Sequence, residues 1–432
     1  MVLSGPASQG FALQKRMILK GIGAMEKMLQ KTAITLVLLG ANHALAGGLW
    51  LNEYGDFAGG RASAGAAAGT DEAATIIHNP ASSTRIEGSQ LFGSVGALIP
   101  KIEFDVKDSV PFIGDGDGGQ AGLVAPAASM AYVFDNGWDN WGTGISVEGL
   151  AGAGLDYDDD WVGRYKATEV NLLVMALGVT LAYQVTDRLS VGVKPQIYYS
   201  TLTQKLSLPT SPFTGKSDIR AKLDGDDSGF GGMVGATYAF NAGTRVGISW
   251  QSSFDIEFDG ELELDGSVGD GIEFDTDTGL TMAQNIRVAL HHDVNDRLGL
   301  DFTVGWDNWE ELDNIFISIK GAGGAPLPID WKDTYHYAAG FQYQLNDAWD
   351  VTAGMAYDTN VVDASARVPE LPVDEQIRYN AGARYHLSDT LMLGGYVNYT
   401  DLGKAKIDAE FWSGEYSTNE MIQLSFFANW ML

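Results

Sequence analysis

Four basic residues interrupt stretches of alternating apolar side chains: Lys194, Arg287, Arg378 and Arg384. An arginine offers a planar fork of donors that grips a carboxylate in bidentate fashion, so these positions could receive an anionic head group. The same residues could instead form an electrostatic network with inward acids such as Asp301. His291 and His292 invite a metal reading, but neighbouring residues of a strand point to opposite faces and cannot share one ion. No metal is expected there. The run "GDGDGG" (114–119) offers oxygen ligands for Ca²⁺ but lacks the full spaced loop that binds it. A solvated acidic surface is the expectation. No nucleophile elbow, HExxH or phosphate-binding loop is present. The six histidines suggest no Ser/His/acid set, so neither an enzyme nor a cofactor is expected.

Composition narrows the classes further. The 432 residues contain no cysteine, which excludes a disulfide framework and thiolate metal sites. Acids outnumber bases 56 to 27, for a net charge of −29. A nucleic-acid partner is therefore not expected, because a polyanion needs clustered Lys and Arg. No apolar run approaches the roughly 20 residues of a spanning helix.

The elements that must position the cations are strands. In "QNIRVALH" (284–291), Ile286, Val288 and Leu290 share one face, with Asn285, Arg287 and His291 on the other. In "QIRYNAGARYHL" (376–387), Ile377, Tyr379 and Tyr385 oppose Arg378, Asn380 and Arg384. Such period-two alternation marks strands with one apolar and one polar face. Asn/Asp/Gly-rich punctuation recurs near residues 136, 187, 242, 296, 347 and 389, supplying tight turns. Six short turns divide the chain into seven strand–loop–strand segments, hence 14 strands, from near Gly88 to Leu432. The intervening connections are long, acidic and glycine-rich.

Short turns at one end and long polar loops at the other predict an antiparallel transmembrane β-barrel. In a dry core the mid-strand cations would each cost several kcal/mol unpaired, whereas a wide wet lumen accepts them. The apolar faces then point outward to lipid, and aromatics making up 11% of the chain supply the interfacial girdles.

The N-terminal end differs. Lys27 and Lys31 precede the short apolar stretch "TAITLVLLGA" and the small-residue site Ala44-Leu45-Ala46. This predicts a signal peptide over residues 1–46, with Met25 or Met28 as a plausible true start. Residues 47–87 lose the alternation, are rich in Gly and Ala, and end in "IIHNPA". Such a segment builds no core of its own, so it is expected to plug the lumen as a hatch, with residues 88–432 as the barrel.

Leu49-Trp50-Leu51-Asn52-Glu53, Gly60-Arg61-Ala62 with Ala64-Gly65, Asp71-Glu72-Ala73 and Asn79-Pro80-Ala81 resemble the start of the FadL/TodX family of outer-membrane transporters. Trp161, Gly163, Arg164 and Tyr165 reproduce that family's W-x-G-R-Y. The resemblance covers everything after the signal peptide. It implies a 14-stranded barrel with an N-terminal hatch, and passive uptake of long-chain fatty acids or of aromatic or aliphatic hydrocarbons. Substrate displaces the hatch and leaves sideways at a kink in strand three. The partners implied are the hydrophobic substrate, the bilayer and lipopolysaccharide, with the chain acting as a monomer.

On this reading Asn79, Pro80, Ala81 and Arg61 belong to the hatch, as an anchor or as a gate. Gly149, Gly152 and Gly154 mark the lateral opening, or are ordinary barrel glycines; Arg164 is structural. Two departures stand out. Strand three reads "VEGLAGAGLDY" where the family usually has a Pro-Phe-Gly-Leu-like stretch, and the chain ends in Leu432, not an aromatic. Alternative readings are a general diffusion porin, which would lack a small-residue plug, and an outer-membrane enzyme or adhesin.

Overall fold

The computed structural model describes residues 50–209, 218–266, 271–312, 314–319, 323–328 and 330–432. The expected signal peptide and the first three residues of the 47–87 segment lie outside them. Among the described residues fourteen antiparallel crossings form one closed sheet. They are β1 (Gln90–Ser109), β2 (Ala125–Phe134), β3 (Trp141–Asp156), β4 (Glu169–Gln184), β5 (Leu189–Leu208) and β6 (Ile219–Asn241). The next four are interrupted: β7 (Thr244–Gln251, Phe254–Asp265), β8 (Ile272–Met282, Asn285–Asn295), β9 (Leu298–Asp307, Asn314–Ile319) and β10 (Gly323–Pro328, Thr334–Asn346). β11 (Trp349–Asp358), β12 (Gln376–His386), β13 (Leu391–Asp401) and β14 (Trp412–Met431) complete the ring. Closure runs through β1 and β14, from Gln90 opposite Met431 to Ser109 opposite Trp412.

The six punctuation segments are the short turns after β2, β4, β6, β8, β10 and β12. Asx side chains build several of them: Asn241 Oδ1 accepts from Gly243 N, and Asn346 Oδ1 from Ala348 N. The termini of the sheet lie at this same end, the layout of bacterial barrels.

Alternation sets the two faces. On β14, Ile422, Leu424, Phe426 and Trp430 point outward, while Gln423, Ser425 and Asn429 are buried inward. Phe230 at 77% and Phe426 at 67% exposure belong to an apolar exterior far larger than water-facing surfaces carry; this exterior faces lipid. Trp138, Trp141, Tyr183, Phe240 and Trp430 ring the turn end, and Tyr199, Tyr335, Tyr357 and Tyr399 lie toward the loops. These are the two aromatic girdles.

Among the described residues the wall breaks between β2 and β3. β2 pairs with β3 only from Ser129–Glu148 to Phe134–Thr143. Beyond Glu148, β3 stays paired with β4 through a bulge between Gly149 and Ala151. There the alternation stops: Leu150 to Leu155 are six consecutive buried residues. A bulge bends its strand, and the small side chains here allow close cover on both faces.

Residues 50–86 hold no long element, only short helical turns at Phe57–Arg61, Ala66–Ala68, Thr75–His78 and Pro80–Arg85. Nearly all of Trp50–Ser83 is buried. Small residues on the wall make this possible. A Cβ on Gly247 would lie 1.9 Å from Ala67 O, one on Gly354 2.5 Å from Arg61 O, and one on Gly192 2.5 Å from Ala81 N. Backbone meets backbone at β5, β7 and β11, so glycine is required on the wall at those three levels.

Candidate functional site

At the turn end the interior is polar, and each expected cation is committed to acids. Lys194 Nζ donates to Glu148 Oε1 at 2.9 Å and to Ile77 O at 3.2 Å. Arg287 reaches Asp307 at 2.8 Å and Asn52 Oδ1 at 3.1 Å. Arg378 pairs with Asp358 and lies 3.5 Å from Glu53. Arg384 holds Asp71 at 2.9 Å, Glu72 at 3.3 Å and Asp350 at 2.8 Å. Arg61, from the N-terminal segment, pairs with Asp301 at 3.1 Å.

Three carboxylates therefore bridge an arginine and a histidine. Asp301 also takes His291 at 2.8 Å, Asp358 takes His336 at 2.9 Å and Asp350 takes His386 at 2.8 Å. Buried charges persist only when paired and hydrogen-bonded, and these pairings run between strands and the N-terminal segment. Glu53, Asp71, Glu72 and Ile77 O are the segment's side of the contact. His292 is on the outer face, bonded to Thr244 Oγ1 at 2.9 Å.

Within the N-terminal segment, burial raises the carboxyl of Glu72 to about 7, aided by Asp71 and opposed by Arg384. For Asp71, burial pushes upward but Arg384 outweighs it and holds the carboxyl below its ordinary range. Asp56 is likewise lowered: burial pushes it upward, and His78, 3.0 Å away, outweighs that effect.

Asn79 caps the turn that begins at Pro80, its Oδ1 accepting from Ala81 N at 3.0 Å. Its amide donates to Ala67 O at 2.7 Å and to Ala236 O and Ile248 O at 3.2 Å. One side chain thus ties two parts of the segment to β6 and β7. Pro80 stands at the first helical position, where its missing N–H does no harm. Ala81 is fully buried against β5.

Toward the loops the interior turns apolar. Tyr157 stacks on Trp161 with centroids 3.9 Å apart, and Phe104, Trp412 and Tyr416 meet them edge-on or tilted. A second aromatic group joins Tyr198, Phe254, Trp50, Trp309 and Trp331. Both belong to one continuous cluster with Leu98, Val174, Leu280 and Met282. Gly163 is explained here: a Cβ would lie 2.4 Å from the Trp161 ring. Arg164 donates to Ile113 O at 2.7 Å and Trp161 O at 3.0 Å and pairs with Asp218, which fixes the loop.

The polar and apolar parts meet at the break in β3. Leu51 N donates to Leu150 O at 2.8 Å and Trp50 bridges Ala151, so the N-terminal segment occupies the edge that β2 leaves free. Gly149 has only Leu51 within 4 Å of an added Cβ, and Gly154 lies against Leu123 and Asn171. Gly152 is buried between them. Behind this edge lies a cavity of about 50 Å³, lined by Trp50, Leu51, Leu150, Gln251, Arg287 and His336. Trp50 Nε1 and Gln251 Oε1, both buried, have no hydrogen-bond partner among the described residues.

Sequence reasoning found the cations and the glycines but not Glu148, Asp350, Asp358 or the role of Trp50-Leu51. A usable signal existed for the acids, which share the inward parity of the cations on neighbouring strands.

Residues 37–420 match the model of a family described as outer membrane protein transport protein (OMPP1/FadL/TodX). The chain belongs to that family. It is accordingly an outer-membrane transport protein. A long-chain fatty acid transport protein of Escherichia coli is 24% identical, covering 90% of this chain and 96% of its own. Outer membrane protein P1 of Haemophilus influenzae is also 24% identical, over 86% of this chain and 90% of its own. Among solved structures, a Pseudomonas aeruginosa FadL homologue superposes with a TM-score of 0.81 at 18% identity, covering 89% of this chain and all of the other. The Pseudomonas putida toluene transporter TodX gives 0.72 at 16% identity, covering 88% and 99%. At such identities these two structures show the fold.

Proposed function

We propose that the chain carries hydrophobic small molecules, long-chain fatty acids or aromatic or aliphatic hydrocarbons, passively across the outer membrane. Residues 47–87 act as a hatch within the barrel of residues 88–432, and substrate leaves sideways through the β3 break into the bilayer. The observation that carries this reading is the position of Trp50. It ends the apolar cluster reached from the loops, and it also covers the edge of β3 through Ala151. A greasy molecule moving along the aromatic cluster meets that edge before it meets the charged interior. The lateral route keeps it from water at about 0.8 kcal/mol per CH₂.

The four inward cations support a clamp on the hatch more than a head-group receptor, because each is already held by an acid. A fourteen-strand ring closed on itself leaves no free edge that a second copy would have to cover. The unit is a monomer in a lipopolysaccharide-bearing bilayer, with no nucleic-acid partner.

The cysteine-free chain permits a direct test. Leu51→Cys with Leu150→Cys places a bridgeable pair across the break. Oxidation is expected to reduce uptake of a labelled fatty acid and of toluene to background, and a reductant to restore it. Uptake indifferent to oxidation, with the bridge confirmed by mass, would remove the lateral route. Liposome swelling with small sugars would favour the porin reading.

A further inference from the structure

A second charged site lies at the turn end, away from the break and the aromatic cluster. Arg85 from the N-terminal segment, Arg188 from the β4–β5 turn and Arg245 from β7 line one cavity of about 40 Å³. Among the described residues none of the three makes an ion pair. Arg245 gives its Nε to Ala68 O at 3.2 Å and its Nη2 to Gly69 O at 2.8 Å, which fixes the guanidinium against neutral carbonyls. Arg85 and Arg188 are exposed at the mouth.

In a chain with 56 acids and 27 bases, every buried cation on the far side of the interior finds a carboxylate; here three guanidiniums converge without one. Like charges gathered around one space repel unless an anion sits among them. The acids nearby do not fill that role. Asp187 lines the cavity beside Arg188 but ion-pairs with none of the three, Asp301 is engaged by Arg61 and His291, and Asp293 by His291. Hydroxyls of Thr84 and Thr237 complete a polar lining. The volume suits roughly three water-sized groups, the scale of the oxygens of one tetrahedral anion.

We propose that this cavity binds a phosphate group, gripped by Arg85, Arg188 and Arg245. Guanidinium forks match phosphate oxygens in bidentate fashion, and three of them offset both charges of a monoester or the single charge of a diester. Two sources share that chemistry: free phosphate in the periplasm and the head group of an anionic phospholipid in the inner leaflet. Tyr238, which also lines the cavity, is part-exposed on the outer face beside Phe240, which sets the site at the level of the turn-end girdle where head groups lie. The site is independent of hydrophobic uptake and stands or falls separately.

The test uses full-length protein and two probes. Inorganic phosphate is titrated against protein in phosphatidylcholine nanodiscs, followed by ³¹P line broadening. Phosphatidylglycerol is titrated against delipidated protein in detergent, followed by native mass spectrometry. Arg85→Gln/Arg188→Gln leaves Arg245 and its carbonyl contacts untouched, and folding is checked by heat-modifiable gel mobility. Binding of at least one probe is expected to weaken about tenfold or more in the double variant. Arg188→Gln alone is expected to lose about threefold, which keeps the test open if the double variant does not fold. Loss confined to phosphatidylglycerol assigns the lipid, and loss confined to phosphate assigns the free ion. No binding of either probe by the wild-type protein, or equal binding by wild type and variants, overturns the proposal.

Discussion

Lys194 and Glu148 form an ion pair of 2.9 Å with neither side chain exposed, and Glu148 is the last residue of β3 that pairs with β2. The same ammonium also donates to Ile77 O in the N-terminal segment. One side chain thereby joins the wall at the start of the break to the segment that covers it, so displacement of either strains the other.

Replacing Lys194 by Met should leave Glu148 buried and unpaired, a loss of about 3–5 kcal/mol. The expected signs are a lower temperature for loss of heat-modifiable mobility and greater permeability to large polar antibiotics. Adding Glu148→Leu should recover part of the loss. A double variant less stable than the sum of the two single changes would contradict the pairing.

Asn79→Ala removes the cap on the Pro80 turn and three donations to backbone carbonyls, two of them on the wall. Loss of such bonds in a buried setting is worth about 1–3 kcal/mol. Single-channel conductance should rise as the segment loosens, and conductance equal to wild type would mean that Asn79 shapes only its own turn.

A tryptophan at Gly152 should cut uptake of hydrophobic tracer about tenfold while the barrel still folds, since the residue is buried beside the bulge. Gly93→Trp is the control: it sits on β1 with open space around it. Equal uptake by both variants would dissociate β3 from the route.

Glu72 supplies a pH dependence with a definite sign. Its carboxyl in the folded protein is raised to about 7, above the ordinary value near 4.5. The unfolded chain therefore gives up this proton first as pH rises. The contribution to stability is fully present below about 4.5 and is lost on the way to 7. Asp71 is shifted the other way, and its contribution is lost only in more acidic solution. Arg384, Asp350, Asp56 and His386 surround the pair and stay in both arms of the comparison. Thermal unfolding at pH 5 and pH 8 should show a smaller fall for Glu72→Gln than for wild type. An identical fall in both would place the dependence elsewhere.

The barrel was legible because its signals are local. Turn residues at six spacings and period-two alternation, as in "QIRYNAGARYHL", translate directly into crossings and faces. Arg378 and Arg384 could be placed inward from their neighbours alone. The pairings could not be read, since the inward parity of Asp358 and Asp350 on β11 names no partner and Asp71 and Glu72 come from a segment some 300 residues earlier. The β3 break was visible as glycines but not as lost pairing, since Ala125–Ala128 stay paired with β1 while parting from β3. The interruptions of β7 at Ser252 and of β8 at Ala283 left no mark in composition.

The glycines at 192, 247 and 354 face the alanines and bare backbone of residues 61–81. At those three levels no wall side chain projects into the segment, whereas Phe57, Ile76 and Ile77 pack on Phe92, Val133 and Phe427. Resistance to withdrawal is thus shared between that apolar contact and the polar ties, whose reach is an ångström or two. On the proposed hatch reading, the polar ties would part within a short displacement and leave the Phe57–Phe427 contact as the last hold.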